Sequence, residues 1–185
     1  YTDHEKEQLL YIRRLQQLGL WSKARSLWLN TQHDLLKTNI DPFIIDGGFE
    51  HKFTTQSQPF GWLVRQHHAG ITISQQAVLG AEGKLALNVH FANSTTPFKG
   101  AQQVLLLPPG LYDFKGMIKA DLQAAKGVRW AVKCQNNNQL LAAADPITGR
   151  QAWREFTVRL TIPDTCPIQM LYLELYGRFK QEWRA

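Results

Sequence analysis

The chain lacks the sequence signatures of most enzymes and of membrane-spanning proteins. None of its apolar runs approaches the roughly 20 residues needed to cross a bilayer, and its polar start is unlike a signal peptide. It contains no G-x-S-x-G elbow, P-loop or Rossmann glycine fingerprint. We therefore predict no membrane span and no catalytic activity. Because the first residue is Tyr1 and not Met, we interpret the chain as a mature or excised fragment.

Cysteine is scarce, since only Cys134 and Cys166 occur, and no CxxC or Cys/His spacing indicates zinc. In a β-rich chain the two could form a disulfide between neighbouring strands, which requires an oxidising compartment. The alternative is two buried thiols that behave as small hydrophobic side chains. We favour the disulfide, and with it an extracytoplasmic location, either periplasmic or secreted.

Acidic residues are outnumbered by basic ones, 15 to 21, and the formal net charge of +6 favours an anionic partner. The alternative is a well-mixed solvated surface, because the cations are scattered along the chain. Arms that bind nucleic acid or lipid show clustered cations, so we predict no nucleic-acid partner.

The carboxylates indicate no catalytic pair. We place most of them at turns, where Asp is favoured by local hydrogen bonds: Asp113, Asp121, Asp145, Asp164, Glu155 and Glu174. A glycosidase would need two of them facing each other across a cleft, and nothing in their spacing points to that arrangement.

Residues 1–40 have a helical pattern. Thr2 and Glu5 have the spacing of a capping box, and Gly19 is a typical helix end. A second apolar stripe follows, formed by Trp21, Ala24, Leu27, Trp28 and Leu35. The stretch 15–28 resembles a degenerate tetratricopeptide-like repeat, in which Ala24 would lie where two helices approach closely. We predict an α-helical hairpin.

After residue 40 the period changes to two. Apolar residues alternate with polar ones over 85–91, 114–119, 128–134, 156–162 and 171–176, and turn residues separate these runs. Short strands without intervening helices are typical of an antiparallel β-sandwich. We predict that 41–185 form such a domain, with Trp62, Trp130 and Trp153 in its core.

The motifs of this region resemble carbohydrate-binding modules with a galactose-binding-like jelly roll. The resemblance rests on Asp46-Gly47-Gly48-Phe49-Glu50, Phe60-Gly61-Trp62, Gly83 to Leu87, Pro108 to Tyr112 and Trp153 to Phe156. It implies a non-catalytic module that binds carbohydrate. In such modules the Glu of the opening motif can help hold a structural calcium, which makes Glu50 a candidate metal ligand; the final strand with a partner Asp is missing here.

Sugar rings stack on aromatic side chains, and Arg or Lys pairs with sugar carboxylates. The alternation along the strand places Tyr172 and Tyr176 on its outward side. If the strands that carry Lys115, Lys119, Arg129 and Lys133 lie in the same sheet, the exposed face is both basic and aromatic. That face would suit an acidic polysaccharide. Alternatively, the N-terminal helices cover it, and the chain is a protein-interaction or scaffolding domain of a bacterial envelope protein.

Overall fold

A computed structural model describes residues 3–32, 43–53, 58–68, 70–79, 83–92, 99–122 and 127–176. Two helices come first, α1 (Asp3–Gln17) and α2 (Trp21–Asn30). The strands follow: β1 (Leu63–Val64), β2 (His67–His68), β3 (Ile71–Ala77), β4 (Leu85–Phe91), β5 (Lys99–Leu105), β6 (Gly110–Leu122), β7 (Val128–Cys134), β8 (Leu140–Ala143), β9 (Gly149–Ile162) and β10 (Gln169–Leu175). The prediction of a mainly β chain with two N-terminal helices is confirmed.

The two helices are joined at Gly19. The Gly19 amide donates to the Gln16 carbonyl and the Leu20 amide to the Leu15 carbonyl, which is the Schellman pattern that ends a helix. Gly19 has a φ of 76°, a conformation that costs glycine little. Thr2, Leu35 and the predicted domain boundary at 40/41 lie outside the described residues.

The strands form three antiparallel sheets. A five-stranded sheet has the order β1-β5-β10-β7-β8, a three-stranded sheet the order β2-β3-β4, and β6 pairs with β9. The sequence predicted the bounds of β4 and β7 to the residue. It missed β1, β2, β3, β5 and β8, and β5 carries the polar Gln103 at a buried position.

One apolar core is shared by all three sheets. It includes Ile73 of β3, Trp130 of β7, Leu160 of β9 and Leu171 of β10. Trp62 packs against this core, as predicted. The prediction for Trp153 is wrong, because Trp153 is half-buried and belongs to no described core cluster, whereas β9 supplies Phe156, Val158, Leu160 and Ile162 to the shared core.

A second core attaches the helices to the five-stranded sheet. Ile12, Leu15, Ala24 and Trp28 of the hairpin are buried with Ile45 and Phe60, and Val104 and Leu106 pack against them. Val104 lies between Gln103 and Leu105, both buried, on the opposite face of β5. The hairpin therefore covers part of the outer face of the five-stranded sheet.

Two buried glutamine side chains attach neighbouring chain segments to the five-stranded sheet. The Gln103 amide bonds to both the N–H and the C=O of Ile45, at 3.0 and 2.8 Å. Gln169 accepts from the Leu107 amide at 2.9 Å and donates to the Cys166 carbonyl at 2.6 Å. Buried peptide groups need hydrogen-bond partners. The side-chain amides of Gln103 and Gln169 supply these partners to backbone groups that pair with no neighbouring strand there.

The opening motif of the β region is a tight turn. Asp46 accepts hydrogen bonds from the Glu50 and His51 amides, and its carbonyl accepts from the Trp62 indole at 2.9 Å. The Gln75 amide donates to the carbonyls of Phe49 and His51. The motif thus has a structural role in this chain.

A disulfide joins Cys134 to Cys166. Cys134 ends β7, and Cys166 lies three residues before β10, the neighbour of β7 in the sheet. Both residues are buried. The bond ties two adjacent strands at one end of the five-stranded sheet.

We expect a Cys134→Ala/Cys166→Ala double variant to unfold more easily, because it loses a cross-link with a sequence separation of 32 residues. The chain-entropy relation gives a loss of about 3–4 kcal/mol in the free energy of unfolding, to be measured by urea denaturation. Reductant should destabilise the wild type by a similar amount and leave the double variant unchanged. An equal response of both proteins to reductant would contradict a stabilising cross-link.

Candidate functional site

The candidate site lies on the outer face of the five-stranded sheet, where β10 pairs with β7. Leu171 and Leu173 of β10 point into the core, so the residues between and beside them face outward. Glu174 is the register partner of Arg129, and Tyr172 is the partner of Ala131. The two strands thereby bring acidic, basic and aromatic side chains onto one surface.

Glu174 forms ion pairs with two cations from β7. Its Oε1 lies 3.2 Å from Arg129 Nη2 and 3.3 Å from Arg129 Nε, and its Oε2 lies 2.5 Å from Lys133 Nζ. The side chains are largely buried, with exposed fractions of 10% for Glu174, 19% for Arg129 and 16% for Lys133. One carboxylate pairs with two cations, so the cluster keeps a net positive charge.

Each cation also lies over a tyrosine ring. The Arg129 guanidinium carbon is 4.6 Å from the centre of the Tyr176 ring, and Lys133 Nζ is 5.6 Å from the centre of the Tyr172 ring. These are cation–π distances. Tyr176 is exposed and Tyr172 is partly buried. Burial, and secondarily the negative charge of Glu174, raises the pKa of the Tyr172 hydroxyl above its ordinary value. We call Tyr172, Tyr176, Arg129, Lys133 and Glu174 the cation–tyrosine cluster.

The structure does not bring Lys115 and Lys119 to this cluster, which corrects the expectation of a shared sheet. Both lie on β6, which pairs with β9 in the separate two-stranded sheet. Phe114 of β6 packs against the shared core and Ile118 is buried, so Lys115 and Lys119, at the alternate positions, face the other way and are exposed. Only four of the six predicted ligand-binding residues are therefore neighbours.

The hairpin and the cation–tyrosine cluster lie on different parts of the outer face. The helical hairpin covers the β5 side through Val104 and Leu106, whereas the cation–tyrosine cluster occupies the β10 and β7 side. Neither of the two described helices has the length and apolar character needed to traverse a membrane.

Glu50 has a structural task that the sequence did not reveal. Its Oε1 accepts hydrogen bonds from the amides of Lys84, at 2.7 Å, and Leu85, at 3.0 Å, where β4 begins. Among the residues that the structure describes, no group of three or more His, Cys, Asp and Glu side chains could hold a metal ion. The structural calcium stays a prediction.

Comparison with known proteins adds no further information about the site. No family model, curated protein or solved structure matches the chain. The chemistry of its surfaces must therefore carry the functional argument.

Glu174, which lies at the centre of the cluster, is a residue to which the sequence assigned no binding role. We expected most of the carboxylates to lie at turns, but Asp113, Asp121, Glu155 and Glu174 lie within strands. The signal was present, because Glu174 alternates with Leu173 and Leu175 and shares the parity of Tyr172. A carboxylate between two outward tyrosines in a strand indicates a cationic partner on the neighbouring strand.

We expect Glu174→Gln to lower the free energy of unfolding by about 3 kcal/mol, because it leaves two largely buried cations facing each other without a counter-charge. Urea denaturation at neutral pH measures this loss.

The matched control is Asp113→Asn, which also removes one carboxylate from a strand. Asp113 pairs with Arg159 at 3.7 Å, and both side chains are well exposed, so we expect a change below about 1 kcal/mol. Equal losses in the two variants would contradict the role we give to Glu174.

Stability should fall at alkaline pH through Tyr172. Because the pKa of Tyr172 is raised in the folded chain from 10.0, the unfolded chain ionises first, and the free energy of unfolding falls as the pH rises above about 10. We expect Tyr172→Phe to lose less stability than the wild type between pH 8 and pH 11, measured by urea denaturation. The control Tyr176→Phe retains Tyr172 and should therefore lose as much stability as the wild type over this pH range. If Tyr172→Phe also lost as much as the wild type, the alkaline loss would not come from Tyr172.

Proposed function

We propose that the chain is a non-catalytic carbohydrate-binding module whose ligand is an acidic polysaccharide. The observation that carries the proposal is the cation–tyrosine cluster, where two cations, two tyrosine rings and one carboxylate share a sheet face. Tyrosine offers a flat surface for the C–H face of a sugar ring, and Arg or Lys can pair with a uronate carboxylate.

The arrangement of the cluster favours binding at low entropic cost. Glu174 holds Arg129 and Lys133 in place, and the cations in turn lie over the rings. Side chains that are ordered before association lose less freedom on binding. A sugar carboxylate would add the second negative charge that the two cations lack.

We further propose that residues 41–185 form a jelly-roll β-sandwich of the galactose-binding-like kind. The shared core of the three antiparallel sheets supports this arrangement. The Cys134–Cys166 disulfide is consistent with an extracytoplasmic location.

We expect the wild type to be retarded in an affinity gel that contains polygalacturonate, and to move freely in a gel with neutral glucan. Tyr176→Ala should lose most of the retardation, because it removes an exposed ring and the support of Arg129. Retardation of the wild type falls with added salt if carboxylate pairing contributes.

The matched control is Lys115→Ala/Lys119→Ala, which removes two positive charges from the other sheet. It should keep the retardation if binding depends on the cluster and not on net charge. A larger loss in this control than in Tyr176→Ala would contradict the proposed site.

A protein-interaction role is the second candidate, favoured by the apolar surface of the hairpin. Leu10, Tyr11, Leu18 and Leu20 each expose about half or more of their surface. A scaffolding domain of an envelope assembly would dock a partner there. Loss of a co-purifying protein in Leu10→Ser/Leu18→Ser, with polysaccharide binding unaffected, would support this role.

A further inference from the structure

A groove lies beside the cation–tyrosine cluster, between helix α1 and the outer face of the five-stranded sheet. It has a volume of about 220 Å³. Arg13 and Gln16 of α1 form one side, and Gln102 of β5 and Met170 of β10 contribute to the sheet side. Gln58 and Gln135 also line it. We call this space the amide groove.

Three of its glutamine side chains are not engaged elsewhere in the described part of the chain. Those of Gln16, Gln102 and Gln135 form no hydrogen bond with any described residue, whereas Gln103 is bound to Ile45. A primary amide has two N–H donors and a carbonyl acceptor. Such groups match sugar hydroxyls and acetamido groups, which also donate and accept.

The charge of the groove differs from that of the cluster. Arg13 is the only charged residue among the groove's described lining residues, and the outer-face cations Arg129 and Lys133 are absent from that lining. Most of the polar side chains that line the groove are neutral glutamine amides. The groove is therefore suited to a neutral polar group, and the cluster to a carboxylate.

The two surfaces adjoin through the strand register. Gln102 of the groove is the register partner of Tyr172, and Met170 is the partner of Lys133. Partners on neighbouring strands have Cβ atoms about 5 Å apart. One ligand can therefore contact both surfaces without any change in the backbone.

We propose that the amide groove is a subsite for one neutral sugar unit, next to a uronate unit held at the cation–tyrosine cluster. The inference rests on the proposed function, and it names the ligand class as a polysaccharide in which acidic and neutral units are adjacent. The volume is below the roughly 300–1,000 Å³ of pockets that enclose drug-sized ligands, so it fits a single unit. Helix α1 becomes one wall of the binding site.

The test compares two oligosaccharides of equal length by isothermal titration calorimetry. One is a hyaluronan fragment, in which uronate alternates with N-acetylglucosamine, and the other is an oligogalacturonate. We expect the wild type to bind the hyaluronan fragment more tightly. Gln102→Leu and Gln16→Ala should each weaken hyaluronan binding about three- to tenfold, the effect of one or two lost hydrogen bonds, and change oligogalacturonate binding less than about twofold.

Gln76→Leu is the matched control, because Gln76 is an exposed glutamine of β3 in the three-stranded sheet. It should leave both affinities unchanged. Gln16→Ala lies on the surface of a helix and tests the groove even if Gln102→Leu disturbs the sheet, and near-ultraviolet circular dichroism shows whether each variant keeps its fold.

The outcomes separate the two proposals. If the wild type binds neither oligosaccharide, acidic-polysaccharide binding fails, and the subsite fails with it. If the wild type binds and the groove variants leave both affinities unchanged, or weaken both equally, the amide groove is not a neutral-sugar subsite, and the proposed function stands on the cluster alone.

Discussion

The alternation of side chains along β10 is the constraint on which the core and the site both depend. β10 lies between β5 and β7, so its backbone groups are paired on both edges. A slip of one residue would turn every side chain to the other face. It would bury Tyr172 and Glu174 in the apolar core and expose Leu171 and Leu173. The same register that closes the core therefore holds the cation–tyrosine cluster together.

The ion pairs of Glu174 are not explained by stability alone. Removing charges from water costs free energy that their attraction often only offsets, and apolar side chains of similar size can serve a fold as well or better. Here one carboxylate holds two cations, and each cation lies over a tyrosine ring. The resulting surface is charged, aromatic and ordered. The binding role that we propose rests on these properties.

The sequence predicted which way side chains face along a strand, because this depends on local alternation. It did not predict which strands are neighbours in a sheet. It placed Trp130 in the core and Tyr172 and Arg129 on the outer side, because parity determines the face of a side chain. Parity does not determine which strands are neighbours, so Lys115 was expected beside Tyr172 and lies on another sheet. β5 escaped detection since Gln103 stands at an inward position. Its amide binds the Ile45 backbone, a contact between residues 58 positions apart.

The outer face of β5 explains why the hairpin lies where it does. Val104 and Leu106 are apolar on a side of the strand that would otherwise meet water, and Leu15 and Trp28 of the helices belong to the cluster that packs against them. Burying these side chains stabilises the attachment of the hairpin. The attachment also divides the face: the hairpin covers the β5 side, the largely buried cation–tyrosine cluster occupies the β10 and β7 side, and the amide groove lies between them. The helical hairpin thereby forms a wall beside the charged surface, while Leu10 and Leu18 are exposed.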